Sequence, residues 1–269
     1  MPELPEMETY RRLLAEQLVG RTLADVYIGR EKSLNVPPEP FTRRVRGRTV
    51  NSIRRRAKHL IFDLDSGDHL LLHLMLGGWM FWGSEADRPE RTIQVRLDTR
   101  EGSLYFIGLR LGYLHLLDAS ALEERLQPLG PEPLQPAMSL EQWMNRMAGK
   151  RGRLKSQLVD QQVIAGIGNC YADEICYDAG IRPSRTCPSL VRQDWERLYA
   201  SVQRVLLAAV RYGGYMEHPL YTGDRLTGGF DERCQVYDRE GEPCARCGTA
   251  IMKESLSGRK LFYCPECQR

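Results

Sequence analysis

No apolar run in this 269-residue chain is long enough to cross a bilayer, because a spanning helix needs about 20 consecutive apolar residues. The most apolar stretch, Leu70 to Leu76, is short, preceded by His69 and broken by His73. The chain carries no secretory signal pattern, internal repeat or low-complexity tract. These absences exclude a membrane span, a repeat array and a disordered solvating tail. A large net charge is missing too: 38 Lys and Arg against 35 Asp and Glu leave +3, so overall balance does not mark a nucleic-acid binder. A cytosolic globular protein is expected, and 42% hydrophobic residues over this length allow two domains, each with its own core.

The positive charge is unevenly spread. Arg43, Arg44, Arg46 and Arg48 are followed by Arg54, Arg55, Arg56 and Lys58, and a second group holds Lys150, Arg151, Arg153 and Lys155. These are local basic surfaces for a polyanion, or else ordinary solvated faces. Four of the eight cysteines stand as Cys244-Ala-Arg-Cys247 and Cys264-Pro-Glu-Cys267, sixteen residues apart. Two such knuckles suit one tetrahedral four-thiolate zinc, a closed and therefore structural site. Two disulfides are the alternative, disfavoured in a reducing compartment. Cys170, Cys176, Cys187 and Cys234 lack ligand spacing and read as core thiols.

The chain opens Met1-Pro2-Glu3-Leu4-Pro5-Glu6. Removal of the initiator methionine would expose the secondary amine of Pro2, a nucleophile that is partly unprotonated near neutral pH. A helix is predicted from Pro5, with acidic residues in its first turn, an apolar stripe of Met7, Tyr10, Leu14 and Leu18, and a stop at Gly20. Its positive end would disfavour a protonated amine, while Glu3 and Glu6 supply carboxylates nearby. The plainer alternative is that both glutamates serve only the helix start.

Strands are predicted at Thr22 to Ile28, Thr49 to Ile53, His59 to Leu64, His69 to Leu76, Ile93 to Leu97, Ser103 to Ile107 and Tyr113 to Leu117, several with period-two alternation. A proline-rich link follows at Pro128 to Pro136, a plausible hinge, and helices dominate from Ser139 to Arg211. Within them, Lys155 to Asp160 leads through Gly166, Gly168 and Asn169 into a second helix, a helix-two-turns-helix pattern whose glycine turn can bind phosphate or can simply join an αα-hairpin.

The opening hexapeptide, Lys58, the turn from Val159-Asp160-Gln161 to Gly166-Ile167-Gly168-Asn169, and the cysteine pairs with Arg259 five residues before Cys264 occur in this order. Over its whole length the chain thereby resembles the formamidopyrimidine-DNA glycosylase / endonuclease VIII family, its first residues more similar to the formamidopyrimidine branch. The resemblance implies an α+β multidomain fold. An N-terminal helix and antiparallel β-sandwich occupy 1–130, a hinge linker 131–138, a helical helix-two-turns-helix DNA-binding domain 139–232, and a β-hairpin zinc finger 233–269. It implies a monomeric, bacterial-type, nucleoid-associated cytoplasmic enzyme acting on double-stranded DNA that contains a damaged base or abasic site. It would excise oxidised bases and cut the backbone by β,δ-elimination, with one structural zinc on Cys244, Cys247, Cys264 and Cys267 and no cofactor at the reaction centre.

In these terms Pro2 attacks the sugar C1′, Glu3 assists ring opening as general acid and base, Glu6 supports the site, and Lys58 contacts a phosphate and aids catalysis. Asn169 and Arg259 clamp flanking phosphates, while His73 and Lys155 lie near the DNA backbone and the base. The chain departs from the branch at the residues that fill the gap left by a flipped nucleotide. Leu76 replaces a methionine, Leu109 an arginine and Leu111 a phenylalanine, while Arg110 matches the second arginine. Loss of the first arginine, which in the family pairs with the orphaned cytosine, suggests a relaxed opposite-base preference. Alternatively, Leu109 is a core residue and Arg110 serves both roles. Tyr215 to Phe230 is a poor match to the family's lesion-covering loop. Two further readings compete: a catalytically silent damaged-DNA-binding protein of the same fold, and a zinc-ribbon interaction module joined to an unrelated β domain.

Overall fold

The computed structural model describes residues 1–134 and 138–269. They form two compact units, Met1–Pro128 with Tyr212–Gly229, and Leu129–Arg211 with Phe230–Arg269.

The first unit begins with α1 (Leu4–Leu18), β1 (Asp25–Ile28) and α2 (Pro38–Val45), followed by β2 (Val50–Arg56), β3 (His59–Leu64), β4 (His69–His73), β5 (Trp79–Gly83), β6 (Ile93–Asp98), β7 (Ser103–Ile107), β8 (Tyr113–Leu117) and α3 (Ala119–Leu126). Two four-stranded antiparallel sheets form, in the orders β1-β6-β7-β5 and β2-β3-β4-β8. Period-two alternation sorts the side chains. Leu60, Phe62 and Leu64 of β3 and Leu70 and Leu72 of β4 join Val95, Leu97, Leu104 and Phe106 of the other sheet in one core, while Ile61 and Leu71 face the other way and pack on Leu122 of α3. Met7, Tyr10, Leu14 and Leu18 bury the α1 stripe in that same core, each such side chain worth roughly 1.5–3 kcal/mol.

Strand β5 is absent from the sequence-based expectation, which instead extends β4 to Leu76. The strand stops at His73 because Met75 and Gly77 take left-handed backbone, φ +52° and +80°. Residues Tyr212–Gly229 also depart from the expected helical domain. Leu220 enters the sandwich core, its carbonyl accepts from the Trp82 N–H at 2.5 Å, and Asp224 accepts from the Leu220 and Leu226 N–H groups and the Thr227 hydroxyl.

The second unit contains α4 (Leu140–Ala148), α5 (Leu154–Leu158), α6 (Asn169–Ala179), α7 (Arg192–Arg211) and the hairpin β9 (Met252–Leu256) and β10 (Arg259–Tyr263). The expected hinge is partly built into it: the Ala165 N–H donates to Pro131 O at 3.0 Å and Gln203 Nε2 to Pro133 O at 2.6 Å. Residues 135–137, Pro136 among them, lie outside the described residues. Cys170, Cys176, Cys187 and Cys234 are buried. Among the described residues no helix is long and apolar enough to cross a membrane.

The basic clusters are only partly surfaces. Arg44 pairs with Asp68, Arg54 with Asp63 and Arg55 with Glu8, and Lys58 and Lys155 are buried. A charge run in sequence does not reveal which members have acidic neighbours across a sheet.

Candidate active site and nucleic-acid interface

Pro2, Glu3 and Glu6 are all buried at the head of α1. Glu3 is the N-cap residue, and Glu6 Oε2 accepts from its N–H at 2.7 Å, closing a capping box. The other Glu6 oxygen accepts from the Tyr215 N–H at 2.8 Å, so both oxygens are held by backbone. Glycine is required at 214: with φ +76°, a Cβ there would lie 2.2 Å from Glu6 Oε1. The same segment is tied by Tyr10, whose hydroxyl donates to His218 O at 2.8 Å. The His218 ring stacks on Trp79, centroids 5.3 Å apart. Burial and then the positive N-terminal amine hold its imidazole below the ordinary histidine range. His218 and Gly214 were not found by sequence reasoning; their only signal was the Gly213-Gly214 pair.

Lys58, 4% exposed, occupies the β2–β3 turn, after Ala57 at φ +53°. His73 ends β4, and its Nδ1 accepts the Met75 N–H at 3.1 Å. Burial, then Lys58 and Arg125, pull its imidazole down to about 4.

The structure separates the three leucines. Leu76 and Leu111 are each 62% exposed, whereas Leu109 is fully buried in the sandwich core. Its N–H donates to Gln94 Oε1 and its carbonyl accepts the Ser33 hydroxyl. Leu109 therefore cannot fill a gap in a base stack; Arg110 and Leu111, next in the loop, are the exposed ones. A Cβ at Gly108 would come within 2.0 Å of Gly77 O, so glycine there lets the two leucine-bearing loops touch backbone to backbone.

In the second unit the α5–α6 turn is braced by Gln161. Its Nε2 donates to Val159 O and Ile167 O, and its Oε1 accepts the Gly166 N–H. Asn169 follows as the first residue of α6, and its Oδ1 is buried without a hydrogen-bond partner among the described residues. Arg259 is exposed at the start of β10, just after Ser257 and Gly258, both left-handed (φ +51° and +76°) as a two-residue type I′ hairpin requires. Lys155 has a different place from the one expected. It is 1% exposed, and its Nζ donates to Asp173 Oδ2 at 2.7 Å and Lys260 O at 2.6 Å. Asp173 Oδ2 also accepts the Phe262 N–H at 3.0 Å, so this pair locks β10 to α6. Burial pushes the Asp173 carboxyl up to about 7 against the pull of Lys155. Glu174, next along α6, accepts the N–H groups of Gln235, Val236 and Tyr237.

The four cysteine sulfurs lie within 4.8 Å of one another. Sγ separations of 3.8 Å (Cys244–Cys267) and 3.5 Å (Cys247–Cys264) are far too long for disulfides and match the edge of a tetrahedron with zinc–sulfur bonds of about 2.3 Å. The donor set thus fits one structural zinc.

Sequence comparison agrees with this architecture. Residues 1–113 match the formamidopyrimidine-DNA glycosylase N-terminal domain, 129–218 the formamidopyrimidine-DNA glycosylase H2TH domain, and 241–269 the zinc finger found in FPG and IleRS. Formamidopyrimidine-DNA glycosylases of Desulfitobacterium hafniense and Geobacillus kaustophilus are 36% and 39% identical, with all of each chain covered. The Lactococcus lactis Fpg solved with DNA containing an abasic site is similar at a TM-score of 0.93 and 28% identity, covering 99% of both chains. An FPG mutant of that organism, solved with Fapy-dG-containing DNA, matches at the same score over 100% of both chains. The chain belongs to the formamidopyrimidine-DNA glycosylase family.

Proposed function

We propose that this protein is a bifunctional DNA glycosylase and abasic-site lyase that removes oxidised bases from double-stranded DNA and then cuts the backbone. The observation that carries the reading is the interlocked head of α1: Pro2 is buried beside Glu3 and Glu6, and Glu6 is held on both oxygens by backbone N–H groups. With Met1 removed, the Pro2 nitrogen attacks C1′ of a nucleotide flipped out of the stack, since C1′ inside a duplex is out of its reach. The C1′–base bond breaks as the Pro2–C1′ bond forms, and Glu3 gives O4′ the proton with which the C1′–O4′ bond opens to the iminium. The resulting iminium acidifies C2′: loss of its proton expels the 3′ phosphate, loss of a second proton, from C4′ through the conjugated system, expels the 5′ phosphate, and water then hydrolyses the iminium and frees Pro2. Lys58 and His73 contact the backbone from the first unit, and Asn169 and Arg259 from the second. Zinc, when bound, fixes the hairpin that bears Arg259. The enzyme works as a monomer on the bacterial nucleoid, in the cytoplasm.

Borohydride trapping on abasic-site DNA tests the chemistry: a covalent adduct is expected, and Pro2→Gly should lower its rate by two orders of magnitude or more. Tight binding with no adduct would instead identify a silent damaged-DNA-binding protein.

The gap left by the flipped nucleotide is filled by Leu76 and Leu111, with Arg110 beside Leu111 in the same loop. The position of the family's first arginine is taken by the buried Leu109 and neither exposed leucine can hydrogen-bond a base, so opposite-base preference is relaxed, and the lesion range shifts from 8-oxoguanine toward ring-opened purines and oxidised pyrimidines; the competing reading, in which the exposed Arg110 supplies the missing donor, predicts a strong preference for C. Excision of one lesion paired with C, A, G and T should vary by less than about tenfold, where a well-placed base contact would give about 1–3 kcal/mol of discrimination. A strong preference for C would overturn this.

A further inference from the structure

Strand register sets His59, His73 and Tyr113 abreast at one end of the β2-β3-β4-β8 sheet, on β3, β4 and β8. The rings form a continuous pile. His59 meets His73 edge to face at 4.5 Å, His73 stacks on Tyr113 at 5.8 Å, and Tyr113 stacks on His115 at 4.1 Å. His59 Nε2 and the Tyr113 hydroxyl are 3.0 Å apart, a hydrogen bond that ties the two rings on either side of His73. Because His73 Nδ1 accepts the Met75 N–H, the neutral ring must carry its proton on Nε2.

We propose that His59 and Tyr113 are positioning residues that hold His73 as a neutral, Nε2-protonated hydrogen-bond donor to a DNA phosphate oxygen. This rests on the reading of His73 as a backbone contact. The charged groups that act on His59 and His73 are cationic, Lys58 from the β2–β3 turn, Arg56 from β2, and Arg125 from α3, which lies 5.5 Å over the Tyr113 ring; at the far end of the pile Glu124 of α3 lines the same cavity as His115 and Arg125. Burial together with these cations holds His59 at about 3, and His73 and His115 at about 4. A protonated His73 would put a second cation beside the buried Lys58. As a neutral donor it gives direction without charge, and it displaces no counterion from the DNA. The ring pile fixes the imidazole plane, and Met75 fixes the tautomer.

The test is binding of the full-length protein to a duplex carrying a tetrahydrofuran abasic analogue, as a function of pH and salt. His73→Ala should weaken binding by the same factor at pH 7.5 and pH 5.5, with no change in salt slope. In His59→Ala/Tyr113→Ala the two rings that cover His73 are removed, water reaches it, and its proton affinity rises toward the ordinary value near 6.5. Binding by this variant should tighten about five- to tenfold from pH 7.5 to 5.5, and its salt slope at pH 5.5 should steepen by about 0.9. A double variant that keeps the wild-type pH profile and salt slope, while His73→Ala still weakens binding, overturns the inference. A His73→Ala protein that binds as tightly as wild type overturns instead the reading of His73 as a DNA contact. Imidazole 15N shifts of the intact wild-type protein give a measurement independent of any variant's folding: His73 should show a bare Nδ1 and a protonated Nε2 at pH 5.5, and a doubly protonated ring there also overturns the proposal.

Discussion

Glu6 shows how little of a residue's role its neighbours in sequence disclose. Its position in the first turn explains the bond to the Glu3 N–H, but the second bond, to Tyr215, spans 209 positions. That contact depends on Gly214, where backbone with φ +76° runs against the carboxylate. Gly214→Ala should therefore force Glu6 and Tyr215 apart, at a cost of about 1–3 kcal/mol for the strained backbone alone. Adduct formation on abasic-site DNA should slow by about tenfold while DNA affinity stays within threefold, because the displaced group serves chemistry rather than binding. Trapping kinetics and a binding titration on the same preparation check this. The leucines teach a related lesson: Leu76, Leu109 and Leu111 are chemically identical, and only burial separates the two exposed ones from the core residue.

Helix α6 illustrates the element scale. The pattern of glycines before it was readable, but Asn169, which the sequence places in the turn, is the first residue of the helix. Its acidic Asp173-Glu174 pair looks like an ordinary helix surface, yet it carries the anchors of the zinc hairpin. Asp173 meets Lys155 and the Phe262 N–H, while Glu174 meets three consecutive N–H groups at 235–237. A lysine with this pairing is a clamp. Lys155→Met leaves a buried carboxylate without its cation and should destabilise the second unit by about 3–5 kcal/mol in urea unfolding. The double variant Lys155→Met/Asp173→Leu should regain at least half of that loss, since no buried charge is then left alone. A lysine acting only on DNA would show neither effect.

For the whole molecule, the two units divide the work by composition. The first has one large core shared by its sheets and α1, whereas the zinc-finger cluster is small, built from Tyr177, Val236, Cys244, Ile251, Phe262 and Cys264. So small a core depends on its metal. Cys247→Ser, or prolonged chelation, should abolish zinc content measured by a colorimetric chelator. DNA affinity should fall at least tenfold with the loss of Arg259 placement, while the near-UV signal of Trp79 and Trp82 in the first unit is retained. Unchanged zinc content would refute the four-cysteine assignment.

The sequence by itself determined what depends on local pattern. Seven of the eight strands of the sandwich were visible because alternation at period two is a property of consecutive residues. The α1 stripe and the spacing of the four thiolates were legible for the same reason. Strand β5 was hidden, its Trp79-Met80-Phe81-Trp82 run having no such polar punctuation. Tertiary structure alone decided which members of a charge run are paired, which leucines face solvent, that Tyr212–Gly229 joins the first unit, and that His59, His73 and Tyr113 share one edge. These outcomes depend on contacts between residues far apart in the chain, where burial and geometry, rather than residue type, set what a side chain can do.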